Sequence, residues 1–228
     1  MSERKKILGR IRAAVHLAAP RPGSHGSDHP SPSKKIPASA VQQWLPTGGN
    51  SFTEYVEHFR SRSAELRTDF QLFNTSAEVE AMLAKIAMDE NWQSIATHDG
   101  LAKGASINLP ALPVLTTSHG YDVNELEACD AGITACDALI AQTGSVIVTS
   151  RDSGGRALSV LPPHHVVLAR REQLVRDLSG GLERVQKKYA PNYPSMISIV
   201  TGPSRTGDIE RILVLGAHGP KKLTVLCW

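Results

Sequence analysis

Phe52, Tyr55, Val56 and Phe59 recur at spacings of three and four with Glu and Arg between them, which predicts a helix with one apolar face. A strand-like run at 70–73 follows. Thr75 with Glu78 three residues later then forms a capping-box signature. The helix it opens has Val79, Met82, Leu83 and Ile86 on one side. Residues 94–97 read as a strand. Helix, strand, helix, strand in that order predicts an α/β layer with a largely parallel sheet. Beyond residue 130 the apolar runs shorten to strand length, at 133–136, 138–141, 145–148, 159–161 and 166–168, punctuated by Gly, Asp and Pro. A helix is expected over about 172–187 with Leu174, Val175, Leu178 and Leu182 on its apolar side, weakened midway by Gly180 and Gly181. Strands at 195–200 and 223–227 close the pattern.

The beginning of the chain reads differently. Residues 3–17 alternate Ile7, Ile11 and Val15 with Arg and Lys as an amphipathic helix, and residues 19–47 are rich in Pro, Ser, Gly and His. This divides the chain into a basic helix with a flexible linker (1–47) and an α/β domain (48–228). The helix is either simply solvated or a docking element for a partner. Charge follows the same division. The formal net charge of the 228 residues is +3, yet residues 1–35 hold eight basic residues against Glu3 and Asp28, so the body is mildly acidic. An acidic body argues against a nucleic-acid-binding core. No apolar run approaches the roughly 20 residues of a membrane span, and no secretory leader is recognisable, so a cytoplasmic protein is expected. Cys129, Cys136 and Cys227 show no C-x-x-C spacing. Buried small hydrophobes are their expected state, and an iron–sulfur cluster, which takes four thiolates, is not expected in this chain.

Candidate chemistry collects in three loops of the C-terminal half. Thr143, Gly144 and Ser145 sit between two apolar runs, either as a plain hairpin turn or as hydroxyls and amides facing a carboxylate or phosphate. Gly202, Ser204, Arg205 and Thr206 follow a strand, and Arg205 supplies a forked cation suited to an anion. Asp208 and Glu210 come next; Asp208 fits a helix cap, an orienter of Arg205, or an acid or base. His218 and Gly219 occupy a glycine-flanked loop before the last strand, where a histidine can titrate near neutral pH. His164 and His165 are adjacent on a strand and point to opposite faces, which suits one to a pocket and one to solvent and makes them a poor chelating pair. There is no H-E-x-x-H, G-x-S-x-G, Walker or G-x-G-x-x-G motif. A metal site is not expected, and no independent catalytic motif stands out.

Taken together, Gly132-Ile133-Thr134, Asp137 through Ser145, Ser159-Val160-Leu161-Pro162-Pro163-His164-His165, Gly202-Pro203-Ser204-Arg205-Thr206-Gly207-Asp208-Ile209-Glu210 and Gly216-Ala217-His218-Gly219-Pro220 resemble, in this order and spacing, the lactate utilization protein C family, which carries the LUD domain. The resemblance spans about residues 50–228. It implies an open, largely parallel α/β fold with flanking helices, related to the ribose-5-phosphate isomerase, glucosamine-6-phosphate deaminase and CoA-transferase group. It also implies a part in oxidising L-lactate to pyruvate beside two partner proteins that carry iron–sulfur clusters. The chain departs from the family pattern at Gln142 and Ser145, where Glu and Thr are usual, and a Gln in place of Glu weakens any acid/base role there.

The leading expectation is a cluster-free subunit or accessory protein of an L-lactate-oxidising system. Arg205 and Gly202 would hold a small carboxylate with Ser204, Thr206, Thr143, Gly144, Ser145 and Gly219. His218 or His164 would titrate, with Asp208 as orienter. Two other readings compete: a module that senses a small carboxylate, and a stand-alone enzyme for a phosphorylated or CoA-linked anion.

Overall fold

A computed structural model describes residues 46–102, 107–151, 153–206 and 214–228. The chain divides into two units, Met1–Trp44 and Leu45–Trp228, and the description below concerns the second. The expected basic helix and most of the linker lie outside the described residues, as do Asp208 and Glu210.

Six strands form a sheet in which every neighbouring pair is parallel, in the order β1-β12-β7-β4-β2-β3. They are β1 (Asp69–Leu72), β2 (Ile95–Thr97), β3 (Val114–Thr116), β4 (Ala131–Ala135), β7 (His164–Ala169) and β12 (Lys222–Cys227). The predicted capping box is present: the Thr75 hydroxyl accepts from Glu78 N, and the Glu78 carboxylate accepts from Thr75 N. It starts helix α2 (Ser76–Asp89), whose Val79 and Leu83 pack on Ile95, Ile133, Val166, Leu168 and Leu226 on one face of the sheet. On the opposite face Val167, Ala169 and Val225 meet helix α1 (Phe52–Glu65), through Val56 and Phe59, together with a second sheet. Consecutive residues of β7 therefore serve two cores, which is why the run is apolar without alternation.

The second sheet is the part the apolar pattern did not separate. It has four strands in the order β8-β5-β6-β9, with β5 (Ala138–Ile140), β6 (Ser145–Thr149), β8 (Leu174–Val175) and β9 (Ile197–Val200). β5–β6 and β6–β9 are antiparallel. Its outer face is covered by a helix that starts later than expected. Asp177 caps it by accepting from Gly180 N, and it runs Leu178–Tyr189 as α5, following the short α3 (Asp99–Ala102) and α4 (Val123–Glu127). Leu174 and Val175 are strand residues, and the buried stripe of α5 is Gly181, Val185 and Tyr189, with Leu178 and Leu182 exposed. The helix continues through Gly180 and Gly181, and a Cβ on Gly181 would stand 2.8 Å from Ile147 Cδ1, so the missing side chain lets α5 lie close on the sheet. Residues 159–161, expected as a strand, form turns, with Val160 N and Leu161 N both donating to Ala157 O. A two-stranded ladder, β10 (Arg205–Thr206) and β11 (Val214–Leu215), completes the described elements.

Candidate functional site

The carboxyl ends of β2, β3 and β4 open into a cleft of about 580 Å³. Its wall is built from residues that directly follow those strands: His98 after β2, Thr117 and Ser118 after β3, and Ala135 at the end of β4. Ligands of open parallel sheets bind at this end, where loops diverge and leave a crevice. The remaining wall comes from the other sheet, through the loop after β6 that carries Ser150, Arg151, Gly154 and Gly155. Gly100 and Tyr121 complete it.

That loop is tightly tied. Ser153 N donates to Thr149 O at 2.9 Å and Gly155 N to Ser150 O at 3.0 Å. The Thr117 hydroxyl donates to Gly154 O at 2.6 Å, joining the loop to the end of β3. Gly154 has a φ of +68°, and a Cβ on it would stand 2.6 Å from His98 Cβ and 2.7 Å from Thr117 Oγ1. Glycine is thus required twice over, for its backbone conformation and for the close approach. Arg156, one turn further, donates to Ser195 O at 3.3 Å, and the Ser150 and Ser195 hydroxyls lie 3.1 Å apart. At the rim, Asp99 meets His119 Nε2 at 2.9 Å, and the Ser118 hydroxyl accepts from Asp99 N at 2.8 Å.

Among the described lining residues Arg151 is the only cation and none is a carboxylate. Thr117, Ser118, Tyr121 and Ser150 add hydroxyls, and His98 adds an imidazole that is 7% exposed. This chemistry suits an organic anion: a guanidinium for the charged group and hydroxyls for its neighbours. Among the described residues no group of His, Cys, Asp and Glu is arranged to hold a metal ion.

The residues singled out in the sequence lie elsewhere, in three places. Thr143, Gly144 and Ser145 make the β5–β6 turn, where hydroxyls form a chain from Thr143 to Ser145 at 2.8 Å and on to Thr201 at 2.9 Å. Gly144, at φ +66°, lets this turn touch α1: a Cβ would be 2.7 Å from Ser63 N. The neighbouring Gln142 donates its side-chain amide to Pro46 O at 2.8 Å, a bond that an ionised Glu cannot make. The second group comprises Gly202, Ser204, Arg205, His218 and Gly219. Arg205 donates to Leu66 O at the C-terminus of α1, and Gly202, at φ +87°, comes against the same carbonyl. Ser204 N donates to Pro220 O at 2.8 Å, and the Ser204 hydroxyl accepts from His218 N at 3.3 Å, so the second and third loops do meet. Gly219 packs on Ser204, and Thr206 pairs with Val214 in the small ladder. Because β12 begins at Lys222, these loops gather at the amino end of the parallel sheet. Replacing Arg205 with Ala is expected to cost about 1 kcal/mol, the net value of a hydrogen bond, and to lower the melting temperature by roughly 2–4 °C. Calorimetry reads this directly; unchanged melting with lost anion affinity would assign Arg205 to ligand instead.

His164 is the third place. It is 3% exposed at the amino end of β7, and neither it nor His165 faces solvent, since both faces of the sheet are covered. His164 Nδ1 lies 3.1 Å from Glu90 Oε2 and Nε2 lies 2.9 Å from Thr224 Oγ1. With Nδ1–H donating to the carboxylate, Nε2 accepts from the threonine. Burial pulls the His164 pKa down, with Glu90 opposing. Burial pulls Glu90 upward, but Lys222 and His164 outweigh it and hold its carboxyl below the usual range. His165 is pushed down to about 3 by burial, with Nε2 2.9 Å from Thr134 Oγ1.

The cleft loop 149–156 went unmarked in the sequence, although Ser153-Gly154-Gly155 just after an apolar run is the same kind of signal as the loops that were marked. His98 and Thr117 carried no signal, being single polar residues at the ends of short strands.

A profile of the LUD domain matches residues 117–227, a stretch that includes eight of the ten described residues lining the cleft. A protein named lactate utilization protein C from Deinococcus radiodurans is 38% identical over 103 residues, covering 45% of this chain and 48% of that protein. Proteins of the same name from Shouchella clausii and a Geobacillus strain are each 26% identical, over 74% and 81% of this chain and 76% and 82% of theirs. The crystal structure of a DUF162 family protein from Deinococcus radiodurans matches the fold with a TM-score of 0.62 at 23% identity, covering 78% of this chain and 99% of that one. Residues 117–227 thus match the LUD domain, and the chain is similar to proteins named lactate utilization protein C.

Proposed function

We propose that this chain is a component of an L-lactate-oxidising system in the cytoplasm, that it works beside two iron–sulfur partner proteins without a cluster of its own, and that it holds an organic anion in the carboxyl-end cleft. The observation that carries the reading is the cleft itself. It combines one guanidinium with hydroxyls at the carboxyl end of a parallel sheet, and it falls largely inside residues 117–227, the stretch that matches the LUD domain. The cysteines support the cluster-free part. Cys129, Cys136 and Cys227 are buried and unbridged, and burial raises all three thiols, Cys227 to about 12. Three cysteines without C-x-x-C spacing also fall short of the four thiolates that a cluster takes.

The test is lactate-dependent dye reduction by the two partner proteins with and without this chain. Activity is expected to appear only when the chain is present. An Arg151→Ala chain is expected to bind lactate and pyruvate roughly ten- to a hundredfold more weakly, the worth of one charge-assisted hydrogen bond. Full activity of the partners alone would overturn the subunit reading. Undiminished binding by the Arg151 variant would remove the anion from this cleft.

A further inference from the structure

Arg151 has a second neighbour besides the cleft. Its Cζ lies 5.9 Å from the centroid of the Tyr189 ring, within reach of a cation–π interaction. Tyr189 is the last residue of α5, 6% exposed, and its ring is anchored at the hydroxyl end. The O–H donates to Asp137 Oδ1 at 2.8 Å, and the Thr149 hydroxyl lies 3.1 Å away. Asp137 follows β4 and its side chain is wholly buried; Lys188 Nζ donates to the same Oδ1 at 2.9 Å while standing 5.1 Å from the Tyr189 ring centroid. The charge of Lys188 is therefore directed to Asp137. Arg151 is held on the ring by a face that does not compete for its N–H donors, which stay available to a ligand.

We propose that Tyr189 is the positioning residue of the cleft, its ring fixed by Asp137 and Thr149 so that Arg151 is seated for the anion. This rests on the reading of the cleft as an anion site, which Tyr189 itself does not touch. A flexible arginine must give up rotamer freedom when it captures an anion. A seat that removes this freedom beforehand tightens binding through preorganisation. The ring performs the seating, and the hydroxyl fixes the ring, so the two parts of the side chain have separable effects.

The experiment measures the rate at which phenylglyoxal, an arginine-selective dicarbonyl, labels Arg151 in the full chain, with Arg156 of the same loop as internal reference. Tyr189→Leu, which removes the ring, is expected to raise Arg151 labelling relative to Arg156 by about fivefold, the factor that corresponds to a cation–π contact. Tyr189→Phe keeps the ring and is expected to label within about twofold of the parent, although it melts lower because buried Asp137 loses a donor. Tyr189→Met provides a second ring-free chain should the leucine variant not fold. Equal labelling in parent and ring-free chains, or equal acceleration in the Phe and Leu variants, overturns the proposal. Pyruvate affinity is measured in parallel. If the parent binds no pyruvate, the anion reading fails on its own, while the labelling ratio still reports whether Tyr189 seats Arg151.

Discussion

Acidification from pH 7 to 4.5 is expected to remove about 2–3 kcal/mol of folding stability through His165 alone. The ring is buried on β7, on the face shared with Val167 and Ala169, and its pKa is pushed down to about 3, from an ordinary value of 6.5 in the unfolded chain. The unfolded state therefore binds the proton first. The stability that the neutral ring contributes is fully present above about pH 6.5 and is lost progressively as pH falls toward 3. His164 is shifted in the same direction and adds to the same loss. The carboxylates held low, Glu80 by Asn108 and Glu90 by Lys222 and His164, add theirs only at lower pH, so the window between about 6.5 and 4.5 belongs to the histidines. Urea unfolding at a series of pH values reads the slope, expected at one to two protons per molecule. In His165→Leu the slope should fall by close to one proton, even though Thr134 loses its partner and the variant is weaker at neutral pH. An unchanged slope in that variant would show that the ring is not the group responsible.

Gly154→Ala is expected to destabilise the protein by about 2–4 kcal/mol and to lower its melting temperature by roughly 5–15 °C. Two costs combine. The φ of +68° is unfavourable for any residue with a Cβ, and that Cβ would also meet His98 Cβ, Thr117 Oγ1 and Leu158 Cδ2 at 2.6, 2.7 and 2.8 Å. The neighbouring Gly155 provides the comparison. It has a φ of +103°, but a Cβ there would meet nothing within 4 Å, so Gly155→Ala should cost only the backbone term, about 1 kcal/mol. Because Gly154 is joined to Thr117 in the wall of the cleft, its replacement is expected to weaken anion binding as well. Equal melting temperatures for the two variants would mean that the loop relaxes freely and is not the rigid wall described.

Local signals were the readable ones. The Thr75–Glu78 box, the stripes of α1 and α2, and the strands at 70–73, 94–97 and 223–227 depend on neighbours within a few residues, and each is found close to its expected place. The start of α5 was misplaced because Leu174 and Val175 have the spacing of a helix face but are taken by pairing with Leu139 and Ile140, an interaction between distant segments. Residues 159–161 have strand composition and yet turn: Leu158 packs with Ala96, Leu126 and Cys129, and Val160 N and Leu161 N both bond to Ala157 O.

What the sequence determined by itself was the class of fold, the acidic body behind a basic beginning, the buried fate of three scattered cysteines, and a resemblance to lactate utilization proteins, through ordered motifs in its second half. The tertiary structure alone decided where the loops point. A loop after a strand lies at the ligand-binding end only if that strand runs with the parallel sheet. β9 instead belongs to the four-stranded sheet and runs antiparallel to β6, so Gly202, Ser204 and Arg205 are carried to the amino end, while the loop after β6 is carried to the cleft. Strand direction is set by pairing between residues far apart in the chain, and composition around a loop contains no record of it.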